Sequence, residues 1–308
     1  MDVEKQELLR WAAKMLIDPN GTLAEKEMAR RMITEYIREL VPKAANADYR
    51  VMQYNILRDG DGWGWAYLAE PGVECSRRIE PLCAIVEGYR PDVIGVAERY
   101  DCWEDEASLT ARMKAYGYAI VENALPEEMR KTWHYGYPDS DFNRNPILYN
   151  TEVLELVRSN VTDIKAFPSI NYRGLTCAIL RDKRTQRELA VFATHWESGG
   201  IQKEGVEPKT PAECRMINAE KTCAALKELL EDGKDRPVIV MGDFNTFPSD
   251  AAYQRLLQNC GLTDVAEDTN RIDHILTRGC KVLAEGMDTA PYTGYASDHK
   301  PLYCDVKI

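Results

Sequence analysis

Three of the four histidines in this 308-residue chain sit in short phrases that also hold acidic residues: FATHWESG at 192–199, RIDHIL at 271–276 and ASDHKP at 296–301. VIVMGDFNTFPSD, at 238–250, lies between the first two. Carboxylates are hard oxygen donors that suit a magnesium-type cation, and an imidazole oriented by an aspartate can meet a phosphoryl oxygen as the imidazolium. The chemistry such groups serve is metal-dependent hydrolysis of a phosphoester.

Side chains two apart in an extended segment face the same way, so Asp243 and Asn245 should project together while Phe244 turns to the core. A buried strand ending in that pair has site geometry, although GDFN alone is equally an Asx turn. Glu98 closes the apolar run PDVIGVAE, where a lone terminal glutamate is more often solvated than a ligand. Asn55 ends RVMQYNI and has turn capping as its ordinary alternative. His299 follows Asp298 in a Ser-Asp-His loop, with Asp273 on the preceding strand; a phosphate contact and a local turn both fit it, as they fit His195. His274 should face away from Asp273 and be structural, and His134 lies in a loop.

Other chemistries lose their main support. The chain has no G-x-S-x-G elbow and no G-x-x-x-x-G-K-[ST] loop, and its glycines at 60, 62 and 64 do not make G-x-G-x-x-G. Zinc held by His195, His274 and His299 fits poorly, because zinc prefers nitrogen and sulfur at compact spacings and acidic residues dominate here.

The elements that must position these groups are strands alternating with helices from residue 48 onward, the pattern of a mixed α/β domain. Strands are predicted at RVMQYNI, PDVIGVAE, NPILY, EVLELV, LTCAIL, ELAVFATH, RPVIVMGD, RIDHIL and KPLYCDVKI. Helices are predicted at about 77–89 and 109–116, after the capping box Thr210/Glu213 with Pro211 at the first position, and in a short segment capped by Ser249. Residues 1–47 read as two helices: Leu8, Trp11, Ala12, Met15 and Leu16 recur at helical spacing, and Thr22 with Glu25 caps the second helix, which Pro42 stops. The expected organisation is a helical extension, 1–47, followed by one domain, 48–308. The extension should pack on that domain or on a partner.

Bulk properties set bounds. A hydrophobic content of 44% suffices for a sizeable core, and a net charge of −11 disfavours non-specific attraction to nucleic acid or anionic membrane. Nine cysteines without a C-x-x-C pair read as reduced, mostly buried thiols of a cytoplasmic protein. No signal peptide or membrane span is expected.

In their order along the chain, YN at 54–55, PDVIGVAE, THWES, GDFN, IDHIL and SDH at 297–299 resemble the endonuclease/exonuclease/phosphatase superfamily, over nearly all of the chain from Asp48. The resemblance implies an α/β fold, a two-sheet β-sandwich flanked by helices (deoxyribonuclease I-like), with the site at one end. It implies Mg²⁺, with Mn²⁺ able to substitute, held chiefly by Glu98, with Asn55 and Asp298 at the metal end of the cleft. Asp243 would align or deprotonate the attacking water, and Asn245 would position the water or the phosphate. His299, held by Asp273, would contact the scissile phosphate, and His195 would be a second phosphate contact. Ala97 departs from the pattern, since many members carry glutamine before the metal glutamate.

Arg58, Arg99, Arg130, Lys131 and Arg144 lie near these motifs and could line an anion groove, and Trp63, Trp65 and Trp133 could stack on a substrate or simply pack. The expected partner is a phosphoester: a small molecule, a lipid headgroup or a nucleic acid end, without stable membrane insertion. The alternative is a catalytically silent relative that binds phosphate ligands or a protein.

Overall fold

The computed structural model describes residues 3–57, 68–99, 109–121, 143–166, 173–200, 207 and 209–308. Two six-stranded sheets form the body. The first runs in the order β11 (Lys281–Met287), β12 (Leu302–Lys307), β1 (Tyr49–Asn55), β2 (Val93–Ala97), β4 (Ile147–Asn150) and β3 (Tyr118–Ile120). The second runs β5 (Leu154–Asp163), β6 (Gly174–Asp182), β7 (Glu188–His195), β8 (Val238–Asp243), β10 (Asp273–Arg278) and β9 (Thr263–Asp264). Helices α1 (Val3–Ile17), α2 (Leu23–Leu40), α3 (Cys75–Tyr89) and α4 (Leu109–Ala115) share a core with the outer face of the first sheet. Helices α5 (Pro211–Leu229) and α6 (Ala251–Cys260) cover the outer face of the second. This is the two-sheet sandwich flanked by helices that the motifs imply.

Strand alternation sorts the side chains into three cores. Between the sheets lie Tyr49 and Val51 of β1, Val93 of β2, Val191 and Ala193 of β7, Ile239 and Met241 of β8 and Ile275 of β10. Met52, Tyr54, Ile94 and Val96 face the first helical layer, and Phe192, Val238, Val240 and Leu276 the second. Burying one such aliphatic side chain contributes about 1.5–3 kcal/mol, against about 0.5–1.5 kcal/mol for a typical hydrogen bond. The apolar ladder therefore sets the register, and polar residues of the same parity are carried along with it. Counting on from the inter-sheet ladder in steps of two arrives at Asn55, His195, Asp243 and Asp273.

The N-terminal helices belong to the first core. Leu9, Leu16, Ile33 and Ile37 are buried with Ile79, Leu82 and Val86 of α3. A Cβ on Gly88 would meet Ile37 Cδ1 at 2.6 Å, so glycine permits the close approach of α2 to α3. Arg50, fully buried, makes paired bonds to Asp305 at 2.7 and 2.8 Å and donates to the carbonyl of Val41 at 2.8 Å, tying the end of α2 to β1 and β12. Both predicted capping boxes are present, Thr22 with Glu25 and Thr210 with Glu213. The N-cap of α6 is Asp250 rather than Ser249; Asp250 accepts a hydrogen bond from the Thr246 hydroxyl inside the preceding loop. Strands β3, β9 and β11 are additions to the predicted set. No helix among the described residues is long and apolar enough to cross a membrane.

Gly242 marks the tightest point next to the polar end of the ladder: a Cβ there would lie 2.3 Å from the carbonyl oxygen of Thr194 on β7. Gly242→Ala should cost roughly 1–3 kcal/mol of stability through forced separation of β7 from β8. Urea unfolding measures this, and a change under 0.5 kcal/mol would contradict the close approach.

Candidate active site

The site lies where four buried strand ends meet. His195 and Asp243 are register partners in the parallel pair β7–β8, and Asp243 and Asp273 are partners in the antiparallel pair β8–β10. From the other sheet, Asn55 pairs with Ala97 in the parallel pair β1–β2, so Glu98 follows one residue beyond. Glu98 has φ +63° and Asn245 φ +49°, left-handed conformations that turn each chain sharply as its strand ends. Asparagine tolerates that region better than most residues do, and a glutamate there is a strained choice of the kind that clusters at functional sites.

Asn55 Nδ2 lies 3.1 Å from Glu98 Oε1, 3.1 Å from Asp243 Oδ2 and 3.5 Å from His299 Nε2, and its Oδ1 accepts the Leu57 N–H. Asp243 Oδ2 is also 3.6 Å from His195 Nε2 and 3.8 Å from His299 Nε2. Asp243 Oδ1 accepts the Asn245 N–H at 2.9 Å, and the Asn245 amide donates to the Trp196 carbonyl at 3.0 Å, which locks the GDFN turn against the end of β7. His299 Nδ1 is 2.6 Å from Asp273 Oδ2, so the aspartate fixes the ring with Nε2 facing the shared space.

Seven residues singled out from the sequence thus converge: Asn55, Glu98, His195, Asp243, Asn245, Asp273 and His299. Asp298 is half-buried beside them, with Ser297 and Glu98 acting on its carboxylate. Arg144 is buried, and its carbonyl accepts the N–H of Arg99 next to Glu98. Arg58, Trp63 and Trp133, with Trp65, Arg130, Lys131 and His134, lie outside the described residues. His274 faces the helical layer as expected, its Nε2 3.0 Å from the Thr246 carbonyl and its Nδ1 3.1 Å from both Asp264 and the Tyr253 hydroxyl. A carbonyl only accepts, so Nε2 donates, and His274 pins the loop that follows Asp243.

Supporting residues emerge that the motifs did not assign. The Ser297 hydroxyl donates to the Asn55 carbonyl at 2.7 Å and accepts the His299 N–H at 3.1 Å, joining the Ser-Asp-His loop to the end of β1. Gln53 Nε2 lies 3.4 Å from Asp273 Oδ1, between the sheets. Arg173 pairs with Glu197 at 3.0 Å, both buried just past His195. The available signal was polarity at a core parity: Gln53 stands two residues after Val51 on the apolar ladder.

Electrostatics separate the roles. Burial, followed by the charge of Asp273, pushes the Asp243 carboxyl up to about 7, with His299 opposing. Burial also raises Asp298, and nearby Glu98 adds to it. Burial alone would depress the His299 imidazole, but the Asp273 charge and hydrogen bond outweigh it and hold the ring well above its usual value. The site is therefore an imidazolium braced by one aspartate, facing a second aspartate that resists ionisation.

Crowded carboxylates of this kind fit a cation. Glu98, His195 and Asp243 each offer a ligand atom within 4.8 Å of the others, as do Asp243, Asp273 and His299. Asp298 is in neither group. Oxygen donors predominate in both, which suits Mg²⁺ or Mn²⁺ better than a softer ion.

Known proteins share this arrangement of strands. Nocturnin from Rattus norvegicus is 22% identical over 338 aligned positions that cover 94% of this chain and 74% of its own. The structure of the human Nocturnin catalytic domain with bound sulfate superposes with a TM-score of 0.64 at 19% identity, over 86% of this chain and 96% of that one. ANGEL2, a 2′,3′-cyclic phosphatase in complex with adenosine-2′,3′-vanadate, superposes with a TM-score of 0.65 at 15% identity, over the same shares of the two chains. The model of the endonuclease/exonuclease/phosphatase family matches residues 52–299, from β1 to the histidine of the Ser-Asp-His loop. The chain belongs to that family of phosphoric ester hydrolases.

Proposed function

We propose that this chain is a Mg²⁺-dependent phosphodiesterase or phosphatase in which Asp243 activates water while His195 and His299 hold the phosphate. The observation that carries the reading is the sharing of Asp243 Oδ2 by Asn55, His195 and His299, at 3.1, 3.6 and 3.8 Å. Glu98 would be the principal ligand, and Asn55 donates to both Glu98 and Asp243, which sets their separation. When bound, the cation neutralises charge on non-bridging phosphate oxygens.

The protein groups supply the proton chemistry. A carboxyl poised near neutrality can take the proton of an attacking water in its ionised form, and the Asn245 N–H fixes that carboxylate's direction. His299, kept as the imidazolium by Asp273, offers Nε2–H to a phosphoryl oxygen, where developing charge strengthens the bond. His195 offers a second donor from the neighbouring strand. The water adds to phosphorus as the ester oxygen departs, so no covalent adduct with the protein is required.

Substrate preference is left to the wall around this centre. We assign the ester to a small molecule, a lipid headgroup or a nucleic acid end, acted on in the cytoplasm. The free thiols suit that reducing compartment. Residues 1–47 serve as a structural extension of the catalytic unit 48–308.

Turnover of bis-p-nitrophenyl phosphate should require Mg²⁺ or Mn²⁺ and disappear in EDTA; full activity in chelator would reject the metal mechanism. A panel of adenosine 2′,3′-cyclic phosphate, single-stranded DNA, RNA, inositol phosphates and sphingomyelin then ranks the substrate classes.

Asp243→Asn and His299→Ala should each reduce kcat by roughly 10²-fold or more. Both variants retaining near-wild-type rates while binding Mg²⁺ would move the chemistry elsewhere.

The pH dependence has a definite sign. A carboxyl whose pKa is raised on folding binds its proton more tightly in the folded state, so the stability linked to Asp243 is present in acid and is lost as pH rises from about 4 through about 7. Mg²⁺ competes with that proton. The increase in melting temperature on adding Mg²⁺ should be larger at pH 8 than at pH 6, and equal increases would contradict a neutral Asp243 in the metal-free protein.

A further inference from the structure

We infer that Cys223 and Cys260 are an oxidisable dithiol whose disulfide would tie α5 to α6 behind the catalytic turn. Their sulfurs are 2.8 Å apart, less than about 1 Å from the roughly 2.05 Å of a disulfide bond. The two residues come from different helices, stand 37 positions apart in sequence, and are buried side by side in the core beneath the second sheet. Both residues are buried, at 4% and 6% exposure, so oxidation requires a small oxidant such as hydrogen peroxide.

The surroundings divide the labour between the two sulfurs. The Cys260 thiol is lowered first by its hydrogen bond with Cys223, against burial, with Arg278 and Lys227 adding to the effect. The same hydrogen bond, then burial, raises Cys223. Arg278 is held in place by its bond to the Cys260 carbonyl at 2.7 Å. These influences make Cys260 the readier of the two to give up its proton.

With hydrogen peroxide as oxidant, the Cys260 thiolate attacks one peroxide oxygen and the O–O bond breaks. The departing hydroxide takes a proton to become water, and Cys260 is left as the sulfenic acid. The Cys223 sulfur then attacks the Cys260 sulfur, the S–O bond breaks, and a second water leaves with the Cys223 proton. Two thiols and one peroxide give one disulfide and two waters.

The covalent loop would enclose β8 and Asp243. α6 begins directly after the turn that carries Asn245, and Arg215 of α5 already lies 3.8 Å from Asp250 at the start of α6. The bond would therefore fasten the two helices that back the catalytic strand, and it does so independently of the hydrolase reading above.

The test treats the full-length protein with hydrogen peroxide, caps free thiols, digests and maps disulfides by mass spectrometry. We expect a linked peptide pair joining residues 223 and 260, lighter by two hydrogens than the separate peptides. The melting temperature should rise by roughly 5–10 °C over the dithiothreitol-treated form, through constraint of the unfolded chain. Cys223→Ser should lose both effects, and Cys260→Ala serves in the same way should that variant not fold. Recovery of both residues as capped thiols after peroxide, or of Cys260 as sulfinic acid without a link to Cys223, would overturn the inference.

Discussion

The structure depends on the register that sets β8 between a parallel and an antiparallel neighbour. That pairing places His195 and Asp273 on either side of Asp243. A slip by one residue would turn Asp243 into the helical layer and bring Gly242 or Phe244 to the site, because strand side chains alternate with period two. What prevents the slip is apolar: Ile239 and Met241 fill the space between the sheets, and Val240 and Phe244 belong to the helical side. The chemistry occupies the last polar step of a hydrophobic ladder, and the ladder holds it in place.

The same burial that fixes the residues makes them costly. Asp243 is fully enclosed close to Asp273, and burial plus that neighbour's charge is what lifts its carboxyl to about 7. His299 relieves part of the repulsion from one side, since its imidazolium faces both aspartates. Asn55 relieves part from the other by donating to both Glu98 and Asp243. A divalent cation bound here would complete the neutralisation and would link metal binding, proton release and stability at one group rather than spread them over the acidic surface.

Much of this was legible because the relevant signals are local. The core parity of Asp243, the facing of His274 into the helical layer and both Thr-x-x-Glu caps follow from backbone periodicity and short-range hydrogen bonding, whereas Asn245 lies past the strand end in a left-handed turn that period-two alternation does not describe. β11 was illegible for the opposite reason: KVLAEGM is a half-exposed edge strand whose burial shows no strict alternation, and its pairing with β12 passes through a bulge at Val282–Ala284. Placing the helix cap at Ser249 erred by one residue, because Asp250 is held by Thr246, a contact set by the loop's tertiary path. Gln53 and Ser297 escaped assignment since their partners are 220 and 242 positions away. Motif order supplied the convergence of Glu98, Asp243 and His299, which no periodicity could give; it carries no comparable information on the ester's leaving group.

The helices at the N-terminus show how sequence outside the family match can still bear on the site. The match begins at residue 52, yet Tyr36 of α2 packs edge-on against Tyr292 at 6.1 Å, in the short 3-10 helix Pro291–Tyr295. Tyr292 in turn donates to Asp288 at 2.6 Å, and the Asp288 N–H bonds the Pro301 carbonyl. These contacts close a loop around Ser297, Asp298 and His299, whose inner side is fastened to Asn55 through Ser297. His299 is held directly by Asp273 and Ser297, while Tyr36 of the added layer packs on Tyr292 in the segment that leads into its loop. The extension thus reaches the neighbourhood of the site through packing, without contributing a reactive group.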